Sequence, residues 1–206
     1  MEVAIKTGKV NLEGTLVLPG QAPGIVAFAH GSGSSRFSPR NNYVAGILNE
    51  AGIGTLLLDL LTREEDRDYD MRFDIALLTK RLIDATIWLQ KETNALKIGY
   101  FGASTGAAAA LKAASSLGKA ISAVVSRGGR PDLASLQELE KVTCPTLLIV
   151  GGLDDVVIDL NRSAFAHLGG RKELKIIPGA THLFEEEGTL EKVAVEARDW
   201  FRLYLA

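Results

Sequence analysis

Ser104 stands in Gly102-Ala103-Ser104-Thr105-Gly106, after the apolar run Lys97-Ile98-Gly99-Tyr100-Phe101 and before the alanine-rich run 107–114. A Gly-x-Ser-x-Gly pattern at a strand-to-helix junction forces a turn sharp enough to push one side chain outward. The flanking glycines permit the turn, because a Cβ there would collide with a neighbouring strand or helix. The following helix aims its free N–H groups and positive dipole end at the serine. A serine so placed is a candidate nucleophile.

A serine hydroxyl needs a base within hydrogen-bond reach, and the base needs an orienting acid. In this arrangement both follow later in the chain, beyond strand ends, in the order serine, acid, histidine. The strand-like run 145–150 leads into Gly151-Gly152-Leu153-Asp154-Asp155, and the run 175–177 leads into Pro178-Gly179-Ala180-Thr181-His182. His182 is therefore the candidate base. Of the two aspartates only one can face the cleft. Asp154 is preferred because it lies nearer the strand end, and Asp155 suits a helix N-cap or turn.

Acyl transfer develops a negative oxygen that preformed N–H donors must hold. One donor is the backbone N–H of Thr105, the residue after the serine. The second should come from His30-Gly31-Ser32-Gly33-Ser34-Ser35, which follows the apolar run 24–29. Small residues there let backbone N–H groups approach a ligand. Ser32 is the expected donor, with Gly33 as the alternative. His30 reads as a brace for the loop. Arg36, Arg40, Arg127 and Arg130 also fall near this edge. They either read an anionic group on a substrate or pair with Asp59, Asp132 and glutamates to hold the loops.

The elements that must position these residues alternate along the chain. Residues 3–6 and 12–18 read as a hairpin turning at Gly8 and Lys9. Apolar runs follow at 24–29, 55–58, 98–101, 121–125, 146–150 and 174–177. Continuous apolar strands are buried on both faces, as in a parallel sheet covered by helices. Helical patterns occupy roughly 39–51, 72–92, 105–117, 159–168 and 189–204. The sum is an α/β domain over residues 1–206. No insertion of cap-domain size lies between Val125 and Thr146, so the site should be open. The charged stretch 62–70 reads as a solvated loop, or else as a lid over the site.

Composition excludes several classes. Formal charge is −2, which gives no electrostatic footprint for nucleic acid. No run reaches the ~20 apolar residues of a membrane span. The N-terminal residues lack the apolar core of an export signal, and the single cysteine fits a reducing, cytoplasmic setting. Three histidines without metal-type spacing argue against a metal site. Gly31-Ser32-Gly33 lacks the third glycine of a dinucleotide fingerprint, since Arg36 stands there.

Taken together, His30-Gly31, the elbow at Ser104, Gly151-Gly152-Leu153-Asp154 and Gly179-Ala180-Thr181-His182 resemble the α/β-hydrolase superfamily. Within it the chain is similar to small, capless dienelactone-hydrolase-like proteins, over nearly its whole length. The resemblance implies an eight-stranded, mostly parallel sheet with helices on both faces. It also implies a Ser104-His182-Asp154 triad and cofactor-free hydrolysis of a small-molecule ester or lactone. Dienelactone hydrolases proper carry cysteine at the elbow. Serine here points to a general carboxylesterase, and a non-catalytic binding or scaffold protein of the same fold is the alternative.

Overall fold

The computed structural model describes residues 1–93 and 96–206. Eight strands form one sheet: β1 (Glu2–Thr7), β2 (Val10–Val17), β3 (Gly24–Ala29), β4 (Gly54–Leu58), β5 (Lys97–Ala103), β6 (Ile121–Arg127), β7 (Thr146–Gly151) and β8 (Lys172–Ile177). Their order is β1-β2-β4-β3-β5-β6-β7-β8. β1 and β2 pair antiparallel, β2 meets β4 antiparallel, and every later neighbour is parallel. This is the mostly parallel eight-stranded α/β architecture expected, and the segment between β6 and β7 holds only short turns and a short helix.

Alternate residues of the central strands feed two apolar cores. Ala27, Tyr100, Val124 and Leu148 pack on one face against α2 (Ile75–Glu92) and α3 (Thr105–Leu117). Phe28, Phe101, Val125 and Ile149 pack on the other against α1 (Pro39–Glu50) and α6 (Thr189–Leu205). Two-sided burial is why these strands read as unbroken apolar runs rather than alternating ones.

Two helix starts differ from the sequence pattern. The run expected from residue 72 begins at Ile75, because the Asp74 side chain accepts the Leu77 N–H at 2.9 Å and caps it. Residues 70–73 form a 3-10 turn instead. The helix expected from residue 159 is α5 (Asp155–His167), with Asp154 at its N-cap position. A helix the pattern did not reveal, α4 (Leu136–Glu140), is too short for periodicity and is held by a reciprocal Ser135–Glu138 capping box.

The strand order places a switch point at the centre of the sheet. From β3 the chain runs outward to β4, then returns to β5 on the other side of β3. The loops leaving the C-terminal ends of β3 and β5 therefore diverge, and a crevice opens between them. No helix among the described residues is long and apolar enough to cross a membrane.

Candidate active site

Ser104 holds a backbone conformation that few non-glycine residues adopt, with φ 50° and ψ −119°. The glycines around it explain how. A Cβ on Gly102 would lie 2.5 Å from Ala107 Cα, and one on Gly106 would lie 2.1 Å from the Ala29 carbonyl oxygen. The first allows α3 to pack on its own strand, and the second allows it to cross β3. The turn is also tied to its neighbour. Ser104 N–H donates to the Arg127 carbonyl at 3.2 Å, and the Ser104 carbonyl accepts from Arg130 N–H at 3.1 Å.

The other two predicted residues arrive on separate loops. Asp154 follows β7 and His182 follows β8, and the loops are stitched together by Leu153 N–H donating to the Ala180 carbonyl at 2.9 Å. His182 Nδ1 lies 2.6 Å from Asp154 Oδ2, and His182 Nε2 lies 3.4 Å from Ser104 Oγ. The carboxylate accepts, so Nδ1 carries a proton, and in that tautomer Nε2 is left to face the serine hydroxyl. Asp155 is exposed in the first turn of α5. Asp154 makes no capping bond despite its N-cap position, which leaves its carboxylate for the imidazole.

Phe184, two residues beyond His182, fastens that loop. It is buried to 1 % exposure at a positive φ of 56°. The Arg127 guanidinium lies 5.9 Å from its ring centroid.

The loop after β3 is braced from within. Leu60 N–H donates to His30 Nε2 at 3.1 Å, so Nδ1 bears the proton and donates to the Gly31 carbonyl at 2.9 Å. Burial lowers the His30 pKa and keeps the ring neutral. Ser32, the expected oxyanion donor, has its N–H engaged: it donates to Thr105 Oγ1 at 2.9 Å. Gly33 sits at φ 68°, and Arg72 Nη1 lies 3.7 Å from where its Cβ would be. The approach of Arg72 escaped sequence reasoning, because nothing local says that the turn after the charged stretch comes back to this loop.

That stretch is not simply solvated. The Arg81 guanidinium pairs with Glu65 at 2.5 Å and, as the main cause, holds its carboxyl down at about 2. Arg72 Nε meets Asp66 Oδ1 at 3.0 Å.

The four arginines divide. Arg36 is buried and meets Asp59, Glu13 and Glu2, so its guanidinium is committed within the chain. Arg130 forms a two-point pair with Asp132 at 2.8 and 2.7 Å. Arg40 reaches Glu185 at 2.9 Å. Arg127 has no carboxylate partner among the described residues; its Nη2 reaches Asn41 Oδ1 at 3.4 Å. Burial, then the nearby Arg40 charge, lowers its pKa to about 10, so it remains cationic at neutral pH.

Cys144 is buried before β7, at the opposite end of that strand from Asp154, and burial pushes its thiol up to about 11. No group of three or more His, Cys, Asp or Glu side chains among the described residues is arranged to hold a metal ion.

Two proteins of Mycobacterium tuberculosis, each carrying a provisional phosphoribosyl transferase description, are 58% identical over 202 residues. That match covers 97% of this chain and 45% of theirs, so the chain spans under half the length of these curated relatives. A crystal structure of a dienelactone hydrolase from Anabaena variabilis is 55% identical, covers 100% of this chain and 98% of its own, and superposes with a TM-score of 0.97. An α/β serine hydrolase without lid from Xanthomonas campestris shares the fold, with TM-score 0.79, 18% identity and coverage of 98% and 94%. The family model for the dienelactone hydrolase family matches residues 12–204, and the chain belongs to that family.

Proposed function

We propose that this chain is a serine hydrolase that cleaves small carboxylic esters or lactones through an acyl-enzyme on Ser104. The supporting observation is His182 bridging Asp154 at 2.6 Å and Ser104 at 3.4 Å, across a serine held at positive φ. A base–nucleophile contact at the long end of hydrogen bonding is normal before substrate binds.

In this reading Ser104 Oγ attacks the acyl carbon while His182 Nε2 takes its proton. The imidazolium that forms is stabilised by Asp154, which stays ionised. Thr105 N–H, at the uncapped start of α3, faces the developing oxyanion. His182 then returns the proton to the leaving alkoxide, the alcohol departs, and the acyl group remains on Ser104. Water, deprotonated by His182, attacks the acyl-enzyme carbonyl; the bond to Ser104 Oγ then breaks, His182 gives its proton back to that oxygen, and the acid is released. Every proton gained by His182 is returned within one turnover.

Serine at the elbow supports a general carboxylesterase over a thiol-dependent lactone hydrolase. The phosphoribosyl transferase description belongs to proteins of which this chain spans 45%.

Fluorophosphonate labelling tests the reading. The protein should label, lose its label in Ser104→Ala, and hydrolyse p-nitrophenyl esters or a simple lactone. Wild-type protein that neither labels nor hydrolyses any of these would mark a non-catalytic member of the fold.

A further inference from the structure

The first residue of α3 carries more than a backbone donor. Thr105 is 2 % exposed, and its Oγ1 accepts the Ser32 N–H at 2.9 Å. A hydroxyl also has a proton to give. Among the described residues that proton has no acceptor, in a place where buried polar groups are normally fully engaged. The Ser104 side chain, although at the N-cap position, makes no capping bond; Ala107 N–H donates to the Ser104 carbonyl at 3.1 Å, while Thr105 N–H and Gly106 N–H have no acceptor among the described residues.

This arrangement changes how the oxyanion can be held. A hole built from Ser32 N–H and Thr105 N–H would need the threonine hydroxyl out of the way. A threonine on a helix is confined largely to two χ1 rotamers, and near-complete burial leaves Thr105 little room to swing between them. Left in place, the hydroxyl keeps the Ser32 N–H for itself. An O–H that already accepts a hydrogen bond is polarised into a stronger donor.

We infer that the Thr105 hydroxyl is a direct oxyanion donor. Ser32 N–H charges it from behind, and it gives its own hydrogen bond to the tetrahedral oxygen alongside Thr105 N–H. No proton is transferred: the hydroxyl keeps its hydrogen throughout. Its bond strengthens as the carbonyl oxygen acquires full negative charge. Thr105 is thus a catalytic residue of the proposed esterase, and the inference rests on that reading.

The test compares wild type with Thr105→Val, Thr105→Ser and Thr105→Ala, using an ester the wild type hydrolyses. Valine preserves shape and removes the hydroxyl. It should lower kcat by roughly 10²-fold or more with little change in KM, the loss typical of one oxyanion donor. Serine should restore most of that loss. Affinity for a trifluoromethyl ketone, which forms a tetrahedral oxyanion on Ser104, should fall in step with kcat/KM.

Retained or increased turnover in the valine variant would overturn the inference, since the hydroxyl would then be a bystander or an obstruction. A fall in kcat with unchanged ketone affinity would also overturn it, by marking a structural role. Should valine prevent folding, the alanine and serine variants carry the same comparison. An inert wild type would instead count against the esterase reading.

Discussion

Asp154 grips His182 more closely than His182 grips Ser104: 2.6 Å against 3.4 Å. The imidazole is thus seated by the acid before substrate arrives, with its tautomer already set. Asp154→Asn should leave the ring in place but offer it an amide donor that favours the wrong tautomer. We expect kcat to fall by roughly 10⁴-fold with little change in KM. Asp155→Asn, exposed one position later, should retain wild-type turnover. Steady-state kinetics on the two variants decide between the aspartates, and the reverse order of damage would reassign the acid.

Ser104 and His182 should fail as a unit. Each alanine substitution should cost roughly four to six orders of magnitude in kcat, and the double variant little more. Circular dichroism should be unchanged. An additive double loss would mean that the two side chains act independently, against the 3.4 Å contact between them.

Arg36 should matter for stability rather than for substrate. Its buried guanidinium meets Asp59 and Glu13, and removing it leaves the largely buried Asp59 carboxylate without its counter-charge, holding only the Arg36 backbone N–H. Arg36→Met should lower unfolding free energy by about 3 kcal/mol, at the lower end for a broken buried pair. Urea titration measures this, and KM for the ester should stay at the wild-type value. A raised KM with unchanged stability would return Arg36 to the substrate site.

Glu65 gives a pH signature. Arg81 holds its carboxyl at about 2, below the ordinary value of 4.5. A depressed folded-state pKa contributes stability that is fully present above about pH 4.5 and drains away as pH falls toward 2. Glu65→Gln should therefore be less stable than wild type above pH 4.5. The gap should narrow from pH 4.5 to 2, as read from urea midpoints across that range. A gap that stays constant over the window would show that the carboxylate is not the titrating group.

The sheet was legible because its signal is local and one-dimensional. Runs such as Ile25–Ala29 and Leu147–Val150 are apolar at every position, as strands covered on both faces must be. The elbow was legible for a steric reason, since only glycine lets α3 come so close to β3 and β5. Boundaries were less so: the Asp74 side chain sets one helix start that hydropathy does not weigh, and α5 begins at Asp155 without any side-chain cap. The charged stretch after β4 looked solvated because its partners, Arg81 and Arg72, lie outside it.

By itself the sequence determined the strand-and-helix alternation, the serine turn, and the chain order in which an acid and a histidine follow it. Those properties depend on neighbours a few residues away. Only the tertiary structure decided that residues 78 positions apart meet at one imidazole, that Asp154 rather than Asp155 faces it, that Arg36 turns to Asp59, and that the Thr105 hydroxyl receives Ser32. The physical reason is that a hydrogen bond or ion pair forms with whatever group the packed sheet brings within about 3 Å. That proximity is a property of how β3, β5, β7 and β8 lie side by side.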